Sequence, residues 1–234
     1  MAKKEDAPMT AYDASWNTET LEALALACNV LSPLFLGDPA KGSAGPVLDA
    51  LAASDAADLA KNWPFVGADG ENVAVQQAIE GALARMIGSL SSGGDRAALA
   101  REYRRLFVGP AKLPAPPWGS VYTDKEGIVF GEGNLELRAW LRSQGIARLD
   151  DENVPDDHIG NLLSLTAVVA TERPDALDEL LAVHILPWAP HYLDQLEAAA
   201  EHPFYQALAA LTRSTLESAG AYRQLQVEEP EFFR

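Results

Sequence analysis

Residues 73–94 read VAVQQAIEGALARMIGSLSSGG and set the fold class. Apolar side chains recur in this stretch every three or four residues, at Val75, Ile79, Leu83, Met86 and Leu90. This spacing places them on one face of an α-helix, and the Ser-Ser-Gly-Gly run predicts where the helix ends. The stretch therefore predicts an amphipathic helix that buries one face in a core.

The same period recurs along the chain. Further apolar stripes cover residues 21–35, 46–51, 99–106, 137–141, 159–169, 177–184, 192–196 and 204–216. Glycine and proline separate them, and only Ile128-Val129-Phe130 resembles a strand. We therefore predict an all-α fold, a single-domain helical bundle of roughly ten helices over residues 1–234. Residues 1–16 and 221–234 are expected to be flexible tails.

Several helix boundaries follow from capping chemistry. Asp95 is a predicted N-cap, and the acids of Pro155-Asp156-Asp157 favour the positive N-terminus of the helix that follows. Proline 203 starts the last predicted helix and Gly220 ends it.

Charge restricts the class of partner. The net charge is −16 at pH 7 and the sequence pI is about 4.5. Nucleic acid and anionic membranes would be repelled, whereas a basic peptide would be attracted. Simple solubility explains the same charge, so charge alone does not decide between these interpretations.

The N-terminus shows no secretory signal, and we expect no segment to reach transmembrane length, so a cytoplasmic protein without an integral membrane segment is predicted. The single cysteine, Cys28, cannot form an internal disulfide. It lies on an apolar helical stripe and is predicted to be a small buried side chain.

The segment GPAKLPAPPWGSVY, residues 109–122, is unusually rich in proline and can be neither helix nor strand. Proline stiffens the loop, and Trp118 offers a large flat surface, so the loop is a candidate wall of a peptide groove. In the alternative, Leu113, Trp118, Val121 and Tyr122 fold back over the core of the bundle.

A second unusual segment, residues 154–160, places Asp156, Asp157 and His158 at the start of an apolar helix. Helix capping explains one of the acids. It does not explain His158, which can donate to a peptide carbonyl or pair with a carboxylate. Structural and functional interpretations of this segment are evenly balanced.

Evidence for catalysis is weak. The four histidines lack H-E-x-x-H spacing, no serine lies in a G-x-S-x-G context, and no glycine-rich nucleotide loop occurs. An Asp157/His158 pair supports only a remote hydrolase alternative. We expect no catalytic residues, no metal and no cofactor.

Five short motifs resemble the TorD/DmsD family of redox-enzyme maturation chaperones. They are YRRLFVGP at 103–110, LPAPPWGSVY at 113–122 with Phe130-Gly131, PDDH at 155–158, HILPW at 184–188 and HPFY at 202–205. The likeness covers about Glu102 to Leu216, and LPAPPWGSVY with EHPFYQAL resembles the DmsD branch. Tyr103, Ala111 and Val154 depart from that branch.

The resemblance implies a chaperone without catalysis of its own. It implies binding of the twin-arginine signal peptide of a molybdoenzyme, such as a dimethyl sulfoxide reductase, before Tat export, with the Tat translocase as a further partner. The alternative is a scaffold for the mature enzyme, as in the NarJ branch. Family binding positions correspond to Tyr103, Leu106, Phe107, Pro117, Trp118, Gly131, Pro155, Asp157 and His158.

Asp157 is the predicted partner of a leader arginine, because a carboxylate can accept a bidentate guanidinium. Asp124, Glu126 and Asp156 are further candidate acids at the rim of the site, because they are close to it in sequence. Replacing His158 or Trp118 with alanine is expected to weaken leader binding and leave the melting temperature nearly unchanged.

Overall fold

The computed structural model describes residues 15–66, 72–91, 96–146 and 155–234. These ranges contain eleven α-helices and no strand, so the all-α prediction is confirmed. The helices are α1 Thr18–Leu36, α2 Ala44–Ala52, α3 Ala56–Lys61, α4 Val73–Ser91, α5 Arg96–Tyr103, α6 Ser120–Thr123, α7 Glu132–Ser143, α8 Ile159–Glu172, α9 Leu177–Glu179, α10 Ala189–Ala199 and α11 Pro203–Arg223. The predicted cap at Asp95, the turn at residues 92–94 and residues 1–14 of the tail predicted over residues 1–16 lie outside the described residues. Trp16 of that tail is held in place, because its indole Nε1–H donates to Asp178 over 2.7 Å.

Three helix pairs form the core. Helix α1 packs along α8, α4 packs along α11, and α10 also packs on α11. The stripe predicted on α4 supplies Ile79, Leu83 and Met86, which are completely buried. Cys28 is also completely buried, as predicted, and burial raises the pKa of its thiol to about 12.

Helix α1 is long and apolar enough to cross a membrane by length and composition, contrary to the expectation that no segment is. It also lies near the N-terminus of the chain. The core helix of a soluble protein passes the same test, so one such helix is weak evidence. Leu24, Leu31 and Phe35 on its inner face are fully buried against the bundle.

Helix α3 was not predicted, because six residues are too few to show a helical period. Its signal is local: the Asp55 carboxylate accepts hydrogen bonds from the backbone N–H groups of Ala57 and Asp58. This is the geometry of an N-cap. The Ile128–Phe130 segment, which resembled a strand, forms none, and Phe130 has a positive φ of 70°.

Two helices change to π-helical geometry before they end. Helix α5 continues as Arg104–Val108, and α9 continues as Leu180–Ile185. Such turns widen the helix and occur frequently at functional sites. The first lies within the YRRLFVGP motif, and the second overlaps the HILPW motif at His184 and Ile185.

The C-terminus differs from the predicted flexible tail. Helix α11 runs past Gly220 to Arg223, and Gln224 then takes the left-handed conformation. Beyond it the chain returns to the bundle, where the Phe233 backbone N–H donates to the Tyr122 carbonyl over 2.9 Å. A period search could not find this segment, because its contacts are made by backbone groups and by single side chains.

Gly160 fixes how closely α1 and α8 approach. A Cβ atom at residue 160 would lie 2.6 Å from Leu36 Cγ and 3.2 Å from Phe35 Cβ. We expect Gly160→Ala to lower the free energy of unfolding by about 1 to 2 kcal/mol, because the half-exposed Leu36 can move but Phe35 cannot. Urea denaturation followed by circular dichroism measures the change.

Gly81→Ala is the matched control. Gly81 lies inside α4, and nothing lies within 4 Å of a Cβ built there. Alanine should therefore stabilise the protein by up to about 1 kcal/mol through helix propensity. A gain for both variants would show that the α1–α8 contact is not tight.

Candidate functional site

The two unusual segments lie side by side. Trp118 and His158 form an isolated antiparallel β-bridge. The Ile159 backbone N–H donates to the Pro117 carbonyl over 2.8 Å, and the Gly119 N–H donates to the Asp157 carbonyl over 3.3 Å. The end of the proline loop is therefore held against the start of α8.

Asp157 is buried at this junction. Its Oδ2 atom accepts the Ser120 backbone N–H over 2.7 Å, at the start of α6. Its Oδ1 atom has no hydrogen-bond partner among the described residues. The Ser120 hydroxyl is close enough to favour the carboxylate, yet it makes no hydrogen bond of ordinary geometry. Burial dominates and raises the pKa of Asp157.

Helix α8 is capped by His158, not by an aspartate as predicted. The His158 Nδ1 atom accepts the Gly160 backbone N–H over 3.0 Å. Burial lowers the pKa of His158 to about 4, so the imidazole is neutral at pH 7. A charged pair between His158 and a carboxylate is therefore disfavoured, and the cap is the structural part of its role.

Asp156 is held away from the solvent by its own contacts. Its Oδ2 atom accepts the Arg138 Nε–H over 2.6 Å, and its backbone N–H donates to the buried Asn134 side chain over 2.9 Å. These bonds fasten α7 to the start of α8. Asp156 is thus already paired with Arg138. This differs from the prediction that it is a rim acid for a leader arginine.

Trp118 agrees in part with each interpretation of the proline loop, the wall of a peptide groove and the cover over the core. Its ring is half-buried and meets the His158 ring edge-on, with centroids 5.7 Å apart. Its indole Nε1 is buried without a partner in the described part of the chain. Neighbouring Val121 and Tyr122 are buried in the core, as the alternative interpretation expected.

A cavity of about 450 Å³ opens beside Asp157. Its floor and walls come from α6, α7, the second π-helical segment and the C-terminal residues 226–230. Leu137, Val183 and Trp188 give it apolar surface, and Glu136, Glu228 and Glu229 give it acidic surface. Asp157 is the buried carboxylate in the lining.

Not all predicted site residues line this cavity. Tyr103, Leu106 and Phe107 are buried in a separate cluster, where the Phe107 ring contacts Phe35, Tyr103 and Tyr205. Gly131 precedes α7 and packs against Asp124, and the Pro155 carbonyl accepts the Asn161 side chain. Within the described residues, Asp157 is the predicted site residue that lines the cavity, with Pro117, Trp118 and His158 directly behind it.

Comparison with known proteins identifies the family. Residues 72–194 match the family described as "Nitrate reductase delta subunit". The chain is 37% identical over 193 residues to "Tat proofreading chaperone DmsD" of Salmonella typhi, covering 82% of this chain and 86% of that protein. The chain belongs to the TorD/DmsD family of redox-enzyme maturation chaperones.

Similarity to two further relatives supports this family assignment. A "Probable Tat proofreading chaperone DmsD" of Haemophilus influenzae is 41% identical over 64% of this chain and 74% of its own length. "Chaperone protein YcdY" of Escherichia coli is 25% identical over 84% and 93%. These relatives are named as chaperones, which favours the chaperone interpretation over the hydrolase alternative.

Three acidic residues of the cavity were missed in the sequence. Glu136 lies on α7, and Glu228 and Glu229 lie in the segment that was expected to be a flexible tail. The sequence shows that this C-terminal segment is acidic, but it does not show that the segment packs beside the cavity. Two acids predicted at the rim of the site do not line this cavity. The Asp124 carboxylate accepts hydrogen bonds from the backbone N–H groups of Glu126 and Glu132, and Glu126 is absent from the lining.

His158 should matter for stability as well as for binding. We expect His158→Ala to lower the free energy of unfolding by about 1 kcal/mol at pH 7.5, because the α8 cap is lost. His158→Asn, which keeps an N-capping side chain, should lose less. This corrects the expectation that His158→Ala leaves the melting temperature nearly unchanged.

The pH dependence of unfolding separates the cap from the charge. A histidine with a lowered pKa costs stability as the pH falls from 6.5 towards about 4, because only the unfolded chain accepts the proton there. That loss should be smaller in His158→Asn than in the wild type, measured by thermal melts from pH 7.5 to 4.5. An identical pH dependence would mean that the pKa of His158 is not lowered in the folded state.

Proposed function

We propose that this chain binds the twin-arginine signal peptide of a molybdoenzyme catalytic subunit and holds it until cofactor insertion is complete. Membership of the TorD/DmsD family supports the chaperone role. We propose further that the client resembles a dimethyl sulfoxide reductase, that binding takes place in the cytoplasm, and that the leader passes afterwards to the Tat translocase.

The observation that carries this proposal is the state of Asp157. A buried carboxylate oxygen without a hydrogen-bond partner is costly, since burial removes its water. Asp157 belongs to the lining of the cavity, so the cavity lies directly beside this carboxylate. A guanidinium supplies N–H donors and a positive charge together, so it matches what the carboxylate lacks.

The rest of the cavity suits a leader peptide. Apolar surface from Leu137, Val183 and Trp188 can cover the aliphatic part of an arginine or a neighbouring leader side chain. The net charge of −16 attracts a basic peptide over a longer range. Site size also fits, because peptide and ligand pockets commonly enclose about 300 to 1,000 Å³.

Isothermal titration with a synthetic twin-arginine leader tests the proposal. The same peptide with both arginines replaced by glutamine is the control. Saturable binding that is lost on replacement is the expected result. Equal binding of both peptides would reduce the function to capture of hydrophobic peptides, and no binding to either would favour a scaffold for the mature enzyme.

A further inference from the structure

The C-terminal segment is anchored at both ends. At its start, the Leu225 backbone N–H donates to the Gly220 carbonyl over 3.0 Å. At its end, the Phe232 ring stacks on His191 of α10, with centroids 4.1 Å apart and planes 15° apart. The Phe233 N–H then donates to Tyr122, as described above. We call residues 226–230, which lie between these anchors, the strap.

The last residue joins the strap to the proline loop. The Arg234 guanidinium donates to the Leu113 carbonyl over 2.8 Å and to the Pro114 carbonyl over 3.3 Å. Its own carbonyl oxygen lies 2.8 Å from His191 Nε2. Six interactions therefore hold a segment that carries no regular secondary structure. Their effect is to fix where the strap runs.

The strap runs past the cavity that contains Asp157. Gln226, Glu228, Glu229 and Pro230 line this cavity together with Glu136 of α7. Both strap glutamates and Glu136 are exposed and form no ion pair with the described residues. Three exposed acids without an ion pair among the described residues thus line a cavity whose lining also includes the buried Asp157.

We infer that the strap is part of the leader site, in which Glu228 and Glu229 bind one arginine of the pair and Asp157 accepts the other. This inference rests on the proposed function. Two guanidinium groups need two sets of acceptors, and a single buried carboxylate satisfies one of them. Exposed acids at the mouth of the cavity satisfy the other, and Glu136 adds to the same field.

The strap walls the cavity and does not fill it. A tail that competed with the leader would place its own basic group on Asp157. Arg234 instead donates to carbonyl groups of the proline loop, and about 450 Å³ remains open beside Asp157. The geometry therefore supports a strap that contributes to binding.

The test compares two double variants of the full chain by titration with the twin-arginine leader. Glu228→Gln/Glu229→Gln removes two strap charges, and Glu22→Gln/Glu231→Gln removes two exposed charges outside the cavity lining. We expect the strap variant to bind about fivefold more weakly than the control, since each exposed ion pair contributes little. The difference should shrink at high salt.

A peptide with one arginine replaced by glutamine completes a double-mutant cycle. If the strap binds an arginine, the strap variant should lose less affinity for one of the two singly replaced peptides than for the intact leader. Equal affinity of the two double variants, or tighter binding by the strap variant, would overturn the inference. The proposed function fails separately, if the wild type does not distinguish the leader from its glutamine peptide.

Discussion

Glu102→Gln should lower the free energy of unfolding by about 1 to 3 kcal/mol, because it removes the charge of a buried carboxylate that is paired with the half-exposed Arg105 and weakens a backbone anchor. The Glu102 carboxylate accepts the Arg105 Nε–H and an Arg105 amino N–H, each over 2.7 Å. It also accepts the backbone N–H groups of Glu201 over 2.6 Å and His202 over 3.3 Å. One side chain thus joins α5 to the turn between α10 and α11.

Chemical denaturation at pH 7.5 measures the loss, and Glu201→Gln is the matched control. The Glu201 side chain is exposed and lies 3.9 Å from Arg105, so its replacement should change stability by less than about 0.5 kcal/mol. Equal losses in the two variants would show that the buried network contributes no more than a surface pair.

The Glu102 network also predicts the direction of a pH effect. Burial alone would raise the pKa of Glu102, but the bonds from Arg105 and from the two backbone N–H groups lower it overall. A carboxyl with a lowered pKa stabilises the fold above its ordinary value of 4.5, and this contribution is lost as the pH falls below that value. Glu102→Gln should therefore lose less stability on acidification than the wild type.

Helices with a clear period were predictable from the sequence, and short elements were not. Helices α1, α4 and α8 bury long apolar stripes whose spacing is visible in one dimension. Helix α3 has six residues and depends on its cap at Asp55. Both π-helical segments were missed, because one extra residue in a turn hardly changes the apolar pattern.

Unusual chemistry in the sequence marked part of the candidate site, whereas residues that tertiary contacts bring to it could not be predicted. Proline density marked the loop before Trp118, and acids beside a histidine marked residues 156–158. The structure brings these segments together. Which acid faces the cavity depends on Arg138 capturing Asp156, a contact across 18 residues that no local pattern shows.

Capping at the start of α8 shows the same limit. Aspartate is the stronger N-cap by general preference, so the acids were expected to cap the helix. Instead, the backbone of the proline loop approaches this turn and gives Asp157 a different donor, the Ser120 N–H. His158 then occupies the cap position. Asp157 is therefore not part of the cap, because the neighbouring His158 occupies that position.

Asp157→Asn should weaken binding of the twin-arginine leader by about 1 to 3 kcal/mol, or roughly 5- to 150-fold. Asparagine keeps an oxygen that can accept the Ser120 N–H, but it removes the charge that attracts a guanidinium. Titration of the variant with the intact leader measures the loss. An unchanged dissociation constant would remove Asp157 from arginine binding.

The same substitution should not destabilise the folded protein, and this combination distinguishes a binding role from a structural one. The pKa of Asp157 is raised, so the folded state binds the proton more tightly than the unfolded chain. Stability therefore falls as the pH rises through the interval between the two pKa values, and the cost is complete above it. Asparagine removes this cost, so at pH 7.5 the melting temperature should be unchanged or higher.

Asp156→Asn is the matched control and should lower the melting temperature, since it weakens the Arg138 bond that fastens α7 to α8. A carboxylate that binds a ligand arginine is unpaired in the free protein and lowers its stability. A structural carboxylate is already paired in the folded chain and raises it.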